Sequence, residues 1–163
     1  MKFTTQEEYG LRILLRIAYS NSPNGLTIPE ISQLEGLSQA NTAKILRVLR
    51  IGGFIDSARG QSGGYKLTRL PEMIRISDVL EKLGGKLFET SFCSDYTGQE
   101  AICTNSINCS IRSVWRAVQT SVDSVLGRLT LRELMTDEGS ANILFEQMSK
   151  TENLNRQSES SSF

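Results

Sequence analysis

Residues 28–54 read IPEISQLEGLSQANTAKILRVLRIGGF, and the fold turns on how this stretch divides. Thr27 stands three residues before Glu30, the spacing of a capping box, and Pro29 suits a first helical turn. The short helix so begun ends near Gly36. Ser38 caps a second helix whose inward side reads Thr42, Ile45, Leu46 and Leu49, and Gly52 and Gly53 terminate it. Two short helices about a glycine-containing turn have the spacing of a helix-turn-helix, though two helices of a plain bundle would look alike. The next residues separate these readings. FIDSA (54–58) and YKLTR (65–69) read as short strands joined by RGQSGG (59–64), whose Gly60, Gly63 and Gly64 supply the backbone freedom of a tight turn. A hairpin placed directly after the second helix is a wing. Arg59 at its tip and Lys66 on its flank are positioned to reach phosphates or a narrow A·T-rich minor groove.

Upstream, a first helix runs from about Thr5 to Tyr19. Tyr9, Ile13, Leu14, Ile17 and Ala18 recur at helical spacing, with Glu7, Glu8, Arg12 and Arg16 on other faces. NSPNG (21–25) breaks the pattern. Downstream, a small helix spans Ser77 to Leu83, and a long helix starts at about Asn108. In the long helix Ile107, Ile111, Val114, Val118, Val122, Val125 and Leu129 advance twenty-two residues in six steps, close to the helical period. Such a stripe, with Trp115 beside it, suits either a subunit interface or packing within one domain. LTLRELM (129–135) makes a last short helix, and the polar tail after Lys150 has little to bury.

Composition narrows the function. The net charge is zero, yet residues 44–69 hold six basic side chains against Asp56 alone, a local balance of +5, while residues 76–163 carry a balance of −4. One basic patch on an otherwise acidic chain is the footprint of a nucleic-acid reader. Gln39, Asn41, Lys44 and Arg47 lie on the outward side of the second helix; amides suit adenine edges, and long cations suit guanine or phosphate. No run is long and apolar enough to span a membrane. The start MKFTTQEEYGLRILLRIAYS does not fit a secretory leader, which points to the reducing cytoplasm, where structural disulfides are rare. The chain has no histidine, no phosphate-binding loop followed by lysine and no dinucleotide fingerprint, so catalysis is not expected.

All three cysteines, Cys93, Cys103 and Cys109, fall within the seventeen residues CSDYTGQEAICTNSINC (93–109). They suit a metal site, a thiol switch or buried packing. Buried cysteines normally sit in apolar surroundings, whereas these lie among Ser, Asp, Thr, Asn, Gly and Gln. Zinc prefers four nitrogen or sulfur ligands, one more than these thiols supply. An iron–sulfur cluster accepts a carboxylate or another group as its last ligand more readily. Cys109 also lies at the start of the long helix, where the helix dipole favours negative charge.

Together, MKFTTQEEYGLR, the helix-turn-helix IPEISQLEGLSQANTAKILRVLRIGGFI, the wing RGQSGGYKL, the cysteine trio and LTLREL resemble the IscR/NsrR regulators of the bacterial Rrf-two family of winged-helix transcription factors. The resemblance covers residues 1 to about 135 in order. It implies a mainly α fold with a small β-hairpin wing: a winged helix-turn-helix plus a long dimerisation helix. The chain is accordingly expected to divide into a winged helix-turn-helix DNA-binding domain (1–80), a cluster-binding loop and dimerisation helix (81–135), and a largely disordered C-terminal tail (136–163). The resemblance further implies a homodimer on a pseudo-palindromic promoter site in double-stranded DNA, with an iron–sulfur cluster, 2Fe–2S or 4Fe–4S, held by Cys93, Cys103 and Cys109. The family's recognition-helix contacts fall on Ser38, Ala40, Ala43 and Lys44, its minor-groove arginine on Arg59, and the wing adds Ser62, Gly63 and Tyr65. Two departures stand out. The family usually spaces its first two cysteines more closely than the nine residues between Cys93 and Cys103. The histidine that completes the IscR site is Arg112 here, and the acidic first-helix ligand of the NsrR branch, donated by the other subunit, matches Glu8. The expected function is therefore a cluster-controlled transcription regulator. A cluster-free thiol switch is the alternative, and an electron-transfer iron–sulfur protein is disfavoured by the wing.

Overall fold

Caps written into the sequence start the helices of the N-terminal head in the computed structural model, which describes residues 4–20, 22–57, 63–86, 88, 93, 103 and 107–148. Helix α1 spans Thr5–Tyr19: the Thr4 hydroxyl accepts from Glu7 N–H, and the Glu7 carboxylate accepts from Thr4 N–H at 2.6 Å. Helix α2, Ile28–Glu35, repeats this box with Thr27 and Glu30. The Thr27 backbone N–H, then its hydroxyl, hold the exposed Glu30 carboxyl below its ordinary value. Gly36, at φ 66°, turns the chain through the left-handed region that L side chains avoid. Helix α3, Gln39–Ile51, starts where Ser38 Oγ accepts from Asn41 N–H at 3.3 Å.

Ile13 and Leu14 of α1, Ile31 of α2, and Ile45, Leu46 and Leu49 of α3 meet in one fully buried core, closed below by Phe54 and Ile55. Strand β1 (Ile55–Ser57) pairs antiparallel with β2 (Tyr65–Leu67), Ile55 opposite Leu67 and Ser57 opposite Tyr65. The hairpin has a third rung that local sequence signals do not announce. Leu26, in the α1–α2 loop, bridges Tyr65, and Gly64 N–H donates to the Asn24 carbonyl at 2.8 Å. The Lys66 ammonium donates to the Pro23 carbonyl, so this side chain, read from the sequence as reaching for phosphate, is turned onto the α1–α2 loop.

After a 3-10 turn at Pro71–Met73, helix α4 (Ile76–Gly84) packs Ile76, Val79 and Leu83 into the core. Glu7, placed by its periodicity away from the apolar stripe of α1, is buried. Its capping role turns the carboxyl inward against α4, where a Cβ on Gly84 would lie 2.5 Å from it. The long helix α5 spans Ser110–Leu126 and buries no residue. Ile111 (60% exposed) and Val114 (56%) lie open on it. Beyond α5 the chain returns to the head. Ile76 N–H donates to the Leu129 carbonyl at 2.9 Å, Leu131 N–H to the Ile74 carbonyl at 2.8 Å, and Arg75 bridges Thr130. The short helix α6 (Leu131–Leu134) follows.

The expectation of a largely disordered tail from residue 136 is corrected over residues 138–148, which are helical. Asp137 accepts from Ser140 N–H at 3.1 Å at the start of this helix, and Leu144, Phe145 and Met148 pack one side of it against the core. Residues 149–163 lie outside the described residues. No helix among the described residues is long and apolar enough to cross a membrane.

Candidate DNA-reading face and cysteine site

On α3, Thr42, Ile45, Leu46 and Leu49 form the buried stripe. At 100° per residue, Ala40, Lys44 and Arg47 fall on the opposite side, and all three are exposed. Gln39 is exposed beside them, while Asn41 and Ala43 are half-buried on the flanks. Ser38 is exposed, with its hydroxyl oxygen occupied as the helix cap. The structure thus places Ala40, Lys44 and Arg47 on one surface, with Ser38 and Gln39 exposed at the helix start. On the wing, Gly63 and Tyr65 are half-buried, and the Tyr65 backbone exchanges hydrogen bonds of 2.7 and 3.1 Å with Leu26. Arg59 and Ser62 lie outside the described residues.

An ion pair that sequence reasoning missed ties α1 to the helix-turn-helix. Glu35, the last residue of α2, accepts from Arg12 Nε at 3.0 Å and from Arg16 Nε at 2.7 Å. Arg12 also donates to the Glu35 carbonyl at 3.0 Å. The carboxylate is 5% exposed and both arginines are about two-fifths exposed, so the charge is withdrawn from water and answered by two cations. The one local hint is that Glu35 stands four residues after the buried Ile31, on the inward face of α2. Glu8, exposed, lies one turn before Arg12 and two before Arg16 on the same stripe of α1.

Cys93, Cys103 and Cys109 are all half-buried thiols outside any disulfide. Cys109 is the N-cap of α5, and its Sγ accepts from Arg112 N–H at 3.4 Å. On the approach to Cys93, Phe88 N–H donates to Gln119 Oε1 at 2.9 Å, and Gln119 Nε2 donates to Asp123 at 2.7 Å. Phe88, five residues before Cys93, is therefore tied to the middle of α5. Among the described residues, no three Cys, Asp or Glu side chains converge as a preformed metal site. The donor chemistry nonetheless suits a thiolate-bound cluster: three accessible thiols and an exposed carboxylate, Glu8, with a helix-start N–H directed at one sulfur.

The family model described as "Rrf2: Iron-dependent Transcriptional regulator" matches residues 3–137. The chain belongs to the Rrf2 family. It is similar to Protein rrf2 of Nitratidesulfovibrio vulgaris, 34% identical over 137 residues that cover 84% of this chain and 89% of that one. Among solved structures it resembles IscR of T. potens, with a TM-score of 0.63 and 26% identity over 83% of this chain and 86% of that one. It also resembles CymR, the global cysteine regulator of B. subtilis, with a TM-score of 0.61 and 26% identity over 84% of this chain and 99% of that one. The chain is an Rrf2-family, DNA-binding transcription regulator with a winged-helix head.

Proposed function

We propose that this regulator binds a pseudo-palindromic promoter site as a homodimer and that an iron–sulfur cluster on Cys93, Cys103 and Cys109 controls its affinity. The observation that carries this reading is the trio of half-buried, unbridged thiols in a chain whose family is described as iron-dependent. Glu8 of the second copy is the proposed fourth ligand. Such a cluster, when bound, supplies a centre that oxidants, nitric oxide or iron shortage can dismantle. The protein's own part is mechanical. Glu8 heads the stripe whose Arg12 and Arg16 grip Glu35, so a shift of Glu8 is passed by α1 to the end of α2 and to the turn that sets α3.

The test is purification without oxygen, with iron and acid-labile sulfide counted per chain and the visible spectrum recorded. Brown protein carrying sulfide is expected, and Cys93→Ala, Cys103→Ala and Cys109→Ala should each bleach it. Zinc at full occupancy without sulfide would sink the proposal. A second reading, a cluster-free thiol switch on the same cysteines, is favoured by the likeness to the cysteine regulator CymR and by the lack of a preformed metal site among the described residues. Its signature is colourless protein that loses DNA binding on mild oxidation and recovers it with a thiol reductant.

A further inference from the structure

The outward face of α3 begins with a side chain that has no polar atom. Recognition helices of helix-turn-helix heads present their N-terminal residues to base edges in the major groove. In the first two turns of α3, Ala40 and Lys44 are the exposed residues opposite the buried stripe, while Ala43 is half-buried on the flank. Lys44 matches the acceptor pair of guanine. Ala40 neither donates nor accepts a hydrogen bond, so any base opposite it loses water from polar edge atoms, and only an apolar group on that edge offsets the loss. Thymine presents a C5 methyl group at that edge, and alanine is one of the side chains that meets it by apolar contact. The small side chain also lets the helix axis approach the bases closely.

We infer that Ala40 is a specificity-determining residue that reads a thymine methyl in each half-site, beside a guanine read by Lys44. This rests on the proposal that α3 enters the major groove. Four residues of helix rise about 6 Å, on the order of two base-pair steps of 3.4 Å, which sets the expected separation of that thymine from the guanine.

The full chain, purified without oxygen, is used to select sites from a random duplex library. Each thymine of the selected site is then replaced in turn by deoxyuridine, which removes only the methyl group. One thymine per half-site should respond, with affinity falling about fourfold, the worth of one buried methyl-sized group. Ala40→Gly should bind the thymine and uracil duplexes equally well. Ala40→Gln should move the preferred base at that position to adenine, whose edge an amide matches; this second variant restores the helix propensity that glycine weakens. A library that yields no sequence preference would overturn the docking of α3, and this assignment with it. A selected site that is indifferent to uracil would overturn the assignment alone. So would a uracil effect that survives in Ala40→Gly but disappears in Ala43→Gly.

Discussion

Glu35 shows how a single side chain ties α1 to the DNA-reading pair of helices. Its carboxylate lies between Arg12 and Arg16 at 3.0 and 2.7 Å, and its backbone ends the first helix of the DNA-reading pair. Glu35→Gln keeps the shape and removes the charge. Because both arginines are about two-fifths exposed, solvent screens part of the loss, and a cost of about 1–2 kcal/mol is expected. A urea unfolding midpoint measures it, and DNA affinity should fall in parallel as the angle between α1 and α2 loosens. This pair was not legible from local pattern, since the partners stand 23 and 19 residues apart. The caps at Thr27 and Ser38 were legible because each closes within three residues. Glu7 was misjudged for a related reason: periodicity records which way a position faces, and a cap that folds its carboxylate back under the helix start does not follow it.

At the scale of elements, the wing is anchored by the loop before α2 as well as by its own hairpin. The hairpin could be read from its glycines and alternating strands. Its third rung could not, because NSPNG signals only that the chain turns, not what it turns toward. Gly64 lies where that loop passes closest; a Cβ there would sit 2.6 Å from Leu26 N and from the Gly25 carbonyl carbon, both backbone atoms with little room to give. Gly64→Ala should cost about 1–3 kcal/mol by overpacking and weaken DNA binding by tilting the wing. Gly36→Ala offers the contrast. Nothing lies within 4 Å of a Cβ there, but φ is 66°, so its cost of about 1–2 kcal/mol comes from backbone strain alone. Amide hydrogen exchange tells the two apart, with protection lost at Tyr65 and Leu26 in the first variant and at the α2–α3 turn in the second.

For the whole molecule, α5 poses the largest unanswered burial. None of its residues is buried, although Ile111, Val114, Val118, Val122 and Val125 follow one another at helical spacing. In the proposed homodimer this stripe meets its copy. Val114→Glu would place an unpaired carboxylate in that seam and should weaken dimerisation by about 3 kcal/mol, roughly a hundredfold. Analytical ultracentrifugation would record the shift to monomer, and binding to a full site should drop to that of a half-site. A variant that stays dimeric would move the interface elsewhere. The return of the chain from α5 to the head has a separate consequence, for modularity. Leu129 and Leu131 are buried in the same core as Ile74 and Ile76 and are stitched to them by backbone hydrogen bonds, so the last third of the chain finishes a core that the first half begins. The head and the segment that follows α5 are therefore not interchangeable cassettes. A hybrid made by joining this head to the sensing half of a relative would inherit a foreign floor beneath α4, and the two halves of such a regulator are constrained to diverge together.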